Sequence, residues 1–171
     1  MPIFSYIFGA LGVAANFTVY QQKERRKLLL FKILCDSCWL LHYISLGAFS
    51  GAGVCTVAVL RDIVFFNENK KWAQGKKWLI FFLCLSIVLT TLTWKNAFSI
   101  LPAIASALSI FSFWQSNPKI TKYISFPASS SMLIYNVSWL SIPGIINESF
   151  VLLSSAISLI RMKSENKKME K

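Results

Sequence analysis

The chain has 171 residues, of which 55% are hydrophobic and 15% aromatic, and its net charge is +11. This composition is too apolar for an ordinary soluble domain and indicates a protein that lies in lipid. A nucleic-acid-binding protein would spread its positive charge over one surface, whereas here the charge falls in short blocks between apolar runs, at 23–27, 70–77, 119–122 and 161–171. We therefore expect membrane lipids as partners and no nucleic acid.

The first three apolar runs predict three transmembrane helices. The run at 3–20 has no formal charge and is followed, not preceded, by basic residues, which favours a retained anchor with its amino terminus outside. The second and third runs, 28–46 and 51–66, are separated by so few residues that they must form a tight hairpin.

The later apolar runs predict four more helices, at 78–93, 97–114, 123–140 and 145–162. Pro102 and Pro127 lie within the fifth and sixth helices, where each is expected to act as a hinge. Pro143 and Gly144 are expected to turn the chain before the seventh helix, and a loose, charged cytoplasmic tail is expected at 163–171.

Seven crossings with an outside amino terminus place the basic blocks on one side of the membrane. By the positive-inside rule that side is the cytoplasm, and Lys95 is the one clear exception. An even number of crossings would leave the tail or one loop on the wrong side. The predicted fold class is therefore all-α, a polytopic membrane protein with its carboxyl terminus in the cytoplasm.

The two ends of the chain align with each other at a shift of about 94 residues. Tyr20-Gln21 then falls on Trp114-Gln115, and His42-Tyr43 falls near Asn136-Val137. An unpaired fourth helix between two sets of three gives both sets the same orientation. We expect two parallel three-helix bundles, at 1–66 and 97–162, joined by a basic loop and a linker helix at 67–96.

This architecture resembles the SWEET and PQ-loop superfamily, in which two three-helix bundles surround a central solute path. The local sequence is more similar to the YgjV-type bacterial inner membrane proteins, in the segments QKERRKLLLFKILCDSCWLLHY, LGAFSGA, LR at 60–61, LP at 101–102, FWQSN at 113–117, ESF at 148–150 and IR at 160–161. The resemblance implies an integral protein of the bacterial inner membrane. SWEET transporters offer asparagine from helices three and seven; here helix three has none, and helix seven offers Asn147 with the hydroxyls of Ser154, Ser155 and Ser158.

Several ionisable side chains lie at or near membrane depth, where each is costly unless it is paired or hydrated. Asp36 either lines a hydrated path, where it binds a cation or carries a proton, or pairs with Lys32 one turn earlier. His42 either takes part in that path or donates a hydrogen bond that joins two helices. Trp39 shares the face of Asp36.

The other ionisable candidates lie in helices three and seven. Arg61 and Asp62 are adjacent and are expected to point apart, with Arg61 against a lipid phosphate or a carboxylate of another helix. Glu148 is expected to open the seventh helix near the outer face, where the helix dipole favours its charge.

Metal, cofactor and enzyme chemistry are not expected. A soft metal would need more than the ligands that share one face of helix two, Cys35, Cys38 and His42. The sequence has no nucleotide-binding loop and no nucleophile with a base beside it.

Two functions remain. The first is a small-solute transporter that rocks one bundle against the other, with a substrate path formed by Asp36, Trp39, His42, Arg61, Asn136, Glu148 and Ser155. The second is a membrane-embedded binding or assembly protein whose polar residues only join helices. A transporter needs a polar cavity between the bundles, whereas an assembly protein should fill that space with Phe and Leu. A homodimer is compatible with either, and nothing in the sequence specifies one.

Overall fold

A computed structural model describes residues 2–22, 24–114 and 118–169 of the chain. Within these residues the protein is all-α, with seven α-helices and two short 3₁₀ turns at 71–73 and 97–99. The helices are α1 (Ile3–Gln21), α2 (Arg25–Leu46), α3 (Phe49–Phe66), α4 (Lys77–Leu92), α5 (Ile100–Trp114), α6 (Pro118–Ser138) and α7 (Ile142–Met169). The prediction of seven helices, one for each apolar run along the chain, is confirmed.

Several helices carry long apolar segments. Among the described residues, 26–46 and 49–66 are long and apolar enough to cross a membrane, and shorter apolar segments lie at 3–19, 77–92, 97–112 and 142–157. On one side of α4 large apolar side chains point outward, since Ile80, Ile87 and Leu92 are at least 62% exposed. An outer surface of this kind suits contact with lipid tails and not with water.

The turn before α7 differs from the sequence prediction. The helix begins at Ile142, so Pro143 and Gly144 lie in its first turn and do not form the reversal. The chain turns at 139–141, where Leu140 has a left-handed backbone with φ of 52°. Proline is tolerated in a first turn because its missing N–H would have no partner there in any case.

Two helices extend beyond their predicted limits into basic segments. α6 begins at Pro118, in a stretch that was expected to be loop as far as residue 122. α7 continues to Met169, so the prediction of a loose tail is wrong over 163–169, and residues 170–171 lie outside the described part. Residues 163–169 include no glycine or proline, and most of them are good helix formers.

The two predicted hinge prolines occupy different positions in their helices. Pro102 is the third residue of α5 and follows the 3₁₀ turn, so the irregularity of this span lies at its beginning. Pro127 lies inside α6, where a proline removes a helical hydrogen bond. Whether either residue flexes stays a prediction.

Six of the helices form a ring. Each packs on the next in the order α1, α2, α3, α5, α6 and α7, and α7 contacts α1. α4 lies beside the ring, against α3 and α5. One apolar cluster centres on Trp39, Tyr43 and Tyr135 inside the ring, and another joins α3 to α4 and α5 through Val57, Phe82 and Ile110.

The helix ends define two faces of the ring. On the basic face α1 ends and α2 begins, α3 ends and α4 begins, and α5 ends and α6 begins; the opposite face contains the α2–α3, α4–α5 and α6–α7 connections. Lys95, the exception to the charge pattern, lies on the opposite face and donates to the Gly47 carbonyl at 3.0 Å. Gly47 is the left-handed residue that ends α2, so Lys95 compensates the negative end of that helix.

Gly51 of α3 allows the rings of α2 and α6 to approach the backbone closely. A Cβ atom at Gly51 would lie 2.9 Å from the Tyr135 ring and 3.0 Å from the Tyr43 ring. Replacing Gly51 with alanine is therefore expected to lower the free energy of unfolding by about 1–3 kcal/mol, because two buried rings must move.

Gly53 provides a matched control on the same helix. A Cβ there would lie 3.4 Å from the Leu89 Cβ, a contact that needs little or no adjustment. Gly53→Ala should therefore be neutral or should stabilise the helix by up to about 1 kcal/mol. Thermal unfolding in detergent measures both variants, and equal melting temperatures for the two would contradict this account of the packing.

Candidate functional site

A cavity of about 680 Å³ lies inside the ring, a volume typical of sites for small molecules. Among the described residues its lining contains one leucine, Leu28, and no phenylalanine. Hydroxyls are the commonest polar groups, supplied by Ser106, Ser109, Ser112, Ser125, Ser129, Ser154 and Ser155. The space enclosed by the ring is therefore a cavity with many polar side chains in a largely apolar wall, and not a core filled with Phe and Leu.

Four charged side chains of α2 and α3 form one network beside this cavity, and three of them, Lys32, Asp36 and Arg61, line it. Lys32 Nζ lies 2.8 Å from both carboxylate oxygens of Asp36. Arg61 donates to Asp62 Oδ1 from Nε at 3.0 Å and from Nη2 at 2.9 Å. The crossed pairs, Lys32 with Asp62 and Arg61 with Asp36, are each 3.9 Å apart. We call Lys32, Asp36, Arg61 and Asp62 the charge quartet.

The charge quartet balances its own formal charges, although Asp62 Oδ2 has no hydrogen-bond partner among the described residues. Two positive and two negative groups cancel, and the contacts within and between the helices tie α2 to α3. The structure has the alternative in which Asp36 pairs with Lys32, and Asp36 also lines the cavity. The prediction that Arg61 and Asp62 point apart is wrong, because Lys32 and Asp36 place opposite charges where both residues can turn toward them.

His42 lies outside the cavity, fully buried between helices. Its Nδ1 is 2.7 Å from the backbone carbonyl of Ser5, which can only accept, so Nδ1 carries the proton. Its Nε2 then accepts from the hydroxyl of Ser141 at 2.7 Å. Ser141 Oγ in turn accepts from the backbone N–H of Gly144 at 3.3 Å. These contacts match the alternative in which His42 joins helices.

Two tyrosines complete this buried region at the opposite face. Tyr43 donates to Asn136 Oδ1 at 2.8 Å, and Tyr135 Oη accepts from the backbone N–H of Gly51 at 3.0 Å. Gly51 lies in the first turn of α3, where backbone N–H groups have no partner within the helix. We call His42, Tyr43, Tyr135, Asn136 and Ser141 the closing layer.

The closing layer limits the cavity at one end. Each of its side chains is at most 2% exposed, and only Tyr43 also lines the cavity. From Tyr43 the lining extends in the other direction to Leu28 and Ser112, near the basic-face ends of α2 and α5. The cavity is thus closed toward the opposite face and extends toward the basic face.

Glu148 lies on the α7 wall of the cavity. It does not open the helix as predicted, because α7 begins at Ile142 and Glu148 falls about two turns later. Its Oε1 accepts from Asn147 Nδ2 at 3.1 Å, and Asn147 Oδ1 accepts from Asn16 Nδ2 at 2.7 Å. The second of these bonds joins α7 to α1. Ser129 of α6 also approaches the carboxylate.

The structure separates the predicted site residues into two groups. Those that line the cavity are Asp36, Trp39, Arg61, Glu148, Ser155 and Pro102, and those that do not are His42, Asn136 and Pro127. Lining residues that the prediction lacked include Asn16, Tyr43 and the serines of α5. The signal for the serines was visible, since Ser106, Ser109 and Ser112 recur every three residues in an otherwise apolar helix.

Comparison with known families gives one assignment over most of the chain. The family model Imp-YgjV, described as a bacterial inner membrane protein, matches residues 3–166. No curated protein and no solved structure matches the chain. The matched region includes the cavity and both of its walls.

Lys32→Met is expected to lower the free energy of unfolding by about 2–4 kcal/mol, because Asp36 then loses its close partner in a largely buried place. Lys32→Met combined with Asp36→Leu should cost less than the sum of the two single changes, since both charges leave together. Thermal or denaturant unfolding in detergent of the unchanged protein, the two single variants and the double variant gives the coupling free energy between Lys32 and Asp36.

The exposed pair Lys27 and Glu24 is the matched control. Their ion pair is 3.1 Å long, and the side chains are 59% and 66% exposed. The same double-mutant cycle at this pair, with Lys27→Met and Glu24→Leu, should give a coupling free energy of less than about 1 kcal/mol. Additive effects at Lys32 and Asp36 would show that the charge quartet is not a coupled unit.

Proposed function

The chain belongs to the Imp-YgjV family of bacterial inner membrane proteins, and from this premise we propose that it carries a small polar solute across that membrane by alternating access. The moving units are two three-helix bundles, α1–α3 and α5–α7, with α4 as the linker between them. The amino terminus lies outside and the basic face lies in the cytoplasm.

The observation that carries this proposal is the cavity in the ring, whose wall carries serines and charged groups. An assembly protein has no use for a space of about 680 Å³ lined by serines and charged groups, and it would fill that space with apolar side chains. The polar lining comes from both bundles, with the charge quartet on one side and the serines of α5 and α6 on the other.

The order of contacts around the ring supports two related bundles. When α4 is set aside, α1 stands opposite α5, α2 opposite α6 and α3 opposite α7. This is the order expected from a parallel repeat related by an axis along the membrane normal. Tyr43 and Asn136, which fall close together when the two halves are aligned, meet in the closing layer.

The conformation fits an inward-open state of such a cycle. The closing layer blocks the path to the outside, and the cavity extends toward the cytoplasm. Opening outward requires the Tyr43–Asn136, Gly51–Tyr135 and His42–Ser141 hydrogen bonds to break. Each bond contributes about 0.5–1.5 kcal/mol net, so the layer is a barrier that a rocking motion can overcome. The charge quartet holds α2 and α3 together as they move.

The alternative, a protein in which polar groups only join helices, has support at particular residues. His42 with its two partners, and Lys32 with Asp36, have the geometry that this alternative predicts. These contacts do not account for the cavity. The His42–Ser5 and Lys32–Asp36 contacts lie within α1–α3 and are equally suited to keeping that bundle rigid during transport. The His42–Ser141 bond instead belongs to the closing layer between the bundles.

One-sided access to the cavity provides a test that does not need the solute. In a background with all four cysteines replaced by alanine, Ser109→Cys should react with a membrane-impermeant thiol reagent in inside-out vesicles much faster than in intact spheroplasts. Ser109 lines the cavity from α5.

Ile87→Cys is the control, because this side chain is 63% exposed on the outer surface of α4 and should lie in lipid. It should react from neither side, since thiols in lipid are shielded from a polar reagent. Reaction of Ser109→Cys no faster than Ile87→Cys in inside-out vesicles would overturn the proposal.

Uptake into proteoliposomes tests transport itself, with sugars, amino acids, organic amines, organic acids and metal ions offered separately. At least one class should enter faster than into empty liposomes. Asp36→Asn should reduce that uptake, because it disturbs the charge quartet in the cavity wall. His42→Ala tests the closing layer. Uptake equal to that of empty liposomes for every class would favour the assembly alternative.

Tyr43→Phe tests the closing layer as an outer gate. Loss of the hydroxyl removes the 2.8 Å bond to Asn136 and should raise labelling of Ser109→Cys in intact spheroplasts by about 2- to 10-fold. Tyr6→Phe is the control, because Tyr6 is 42% exposed and lies outside the layer. An unchanged rate for Tyr43→Phe would show that this bond does not hold the path shut.

A further inference from the structure

We propose that the solute is a monovalent organic cation, a molecule with an ammonium group, and that Glu148 is the carboxylate that binds it. This inference rests on the proposed transport function and names its substrate class. It follows from the charge balance of the cavity, the surroundings of Glu148 and the aromatic side chains in the same wall.

The charge balance of the cavity leaves one negative group. Within the charge quartet the positive charges of Lys32 and Arg61 are matched by Asp36 and Asp62. Glu148 faces the same cavity, and among the described side chains it has no Lys, Arg or His within ion-pairing distance. A ligand with one positive charge would restore neutrality.

The surroundings of Glu148 hold the carboxylate without neutralising it. Asn147 donates to Oε1 at 3.1 Å, and Asn147 is itself fixed by Asn16 at 2.7 Å. These amides orient the group but bring no charge. Because an anion at membrane depth is costly without a counter-charge, the bound solute is the partner that this site lacks.

Aromatic side chains favour a cation further. Trp39 and Tyr43 both line the cavity, and their ring faces attract positive charge. Trp39 is held against α1, where a Cβ at Gly12 would lie only 2.9 Å from its ring. The serine hydroxyls of the opposite wall can accept hydrogen bonds from the N–H or O–H groups of such a solute.

Other ligand classes fit less well. An anionic solute would meet Glu148 and would have to compete with Asp36 for Lys32, which is already bound at 2.8 Å. A bare metal ion would need a close set of ligands, and the described residues contain no group of three His, Cys, Asp or Glu that could supply one. The cavity of about 680 Å³ has room for an organic molecule.

The test compares two thiol reagents of opposite charge at Ser155→Cys in the cysteine-free background. Ser155 lines the cavity seven residues after Glu148, about 10 Å along the same face of α7. In inside-out vesicles a trimethylammonium methanethiosulfonate should react roughly tenfold faster than a sulfonate methanethiosulfonate, after each rate is divided by its rate with free 2-mercaptoethanol.

Substitutions at Glu148 identify the source of this preference. Glu148→Gln should bring the normalised ratio close to one, whereas Glu148→Asp keeps the charge and should keep most of the ratio. Glu24→Gln is the control for a carboxylate near the basic face but outside the cavity, where the side chain is 66% exposed, and should leave the ratio unchanged. Monodisperse elution in detergent verifies that each variant folds.

Protection of Ser155→Cys from labelling distinguishes binding of an organic cation from a general effect of ionic strength. Choline should slow labelling of Ser155→Cys several-fold when Glu148 is intact and should have no effect in Glu148→Gln. Sodium chloride at equal concentration and glucose should not protect. A normalised ratio near one with Glu148 intact, or equal protection by sodium chloride, would overturn the cation assignment. One-sided labelling of Ser109→Cys would still stand in that case, so the two proposals fail separately.

Discussion

A polar group at membrane depth must find its partner within the protein or in water that the protein encloses, because lipid tails offer none. This constraint determines how α2 is built into the ring. Near its basic-face end, Lys32 and Asp36 satisfy each other and meet Arg61 and Asp62 of α3. Near its other end, His42 and Tyr43 find partners on α1, on α6 and in the α6–α7 turn.

The two ends of α2 therefore have different mechanical consequences. The charge quartet acts within one set of three helices, where breaking it would expose charges at high cost. The closing layer connects the two sets through neutral hydrogen bonds that are individually weak. In the proposed transport cycle, strong contacts within α1–α3 and weaker ones between the two sets at one face would favour a rocking motion. Glu148 lies between these regions, in the space that such a motion would expose to either side.

Hydropathy and charge were sufficient to predict the helices but not all of their ends. Seven apolar runs identified α1–α7 because lipid exposure leaves a strong signal in composition. The start of α7 was misplaced because Pro143 suits both a turn and a first helical turn, and the reversal falls instead on Leu140. The basic continuation of α7 was assigned to a loose tail because charge was taken as a sign of disorder, although its residues favour helix.

The site was harder to predict because its contacts join distant parts of the chain. Local spacing offered the pairing of Asp36 with Lys32, four residues away, as one of two alternatives, and the structure has it. His42 was ambiguous because Ser5 is 37 positions away and Ser141 is 99, and neither distance leaves a pattern in the sequence. The partners of Arg61 depend on how α3 is rotated against α2. Knowing only that Asp62 is the next residue in the sequence does not give that rotation.

The central claim is that an odd number of crossings gives both sets of three helices the same orientation and places the basic face in the cytoplasm. Reporter fusions at the two chain ends measure this most directly, with alkaline phosphatase active only outside the inner membrane and green fluorescent protein fluorescent only inside. The account predicts phosphatase activity from the amino-terminal fusion and fluorescence from the carboxyl-terminal one. Both ends on the same side would contradict it, because the two sets of helices would then not be parallel.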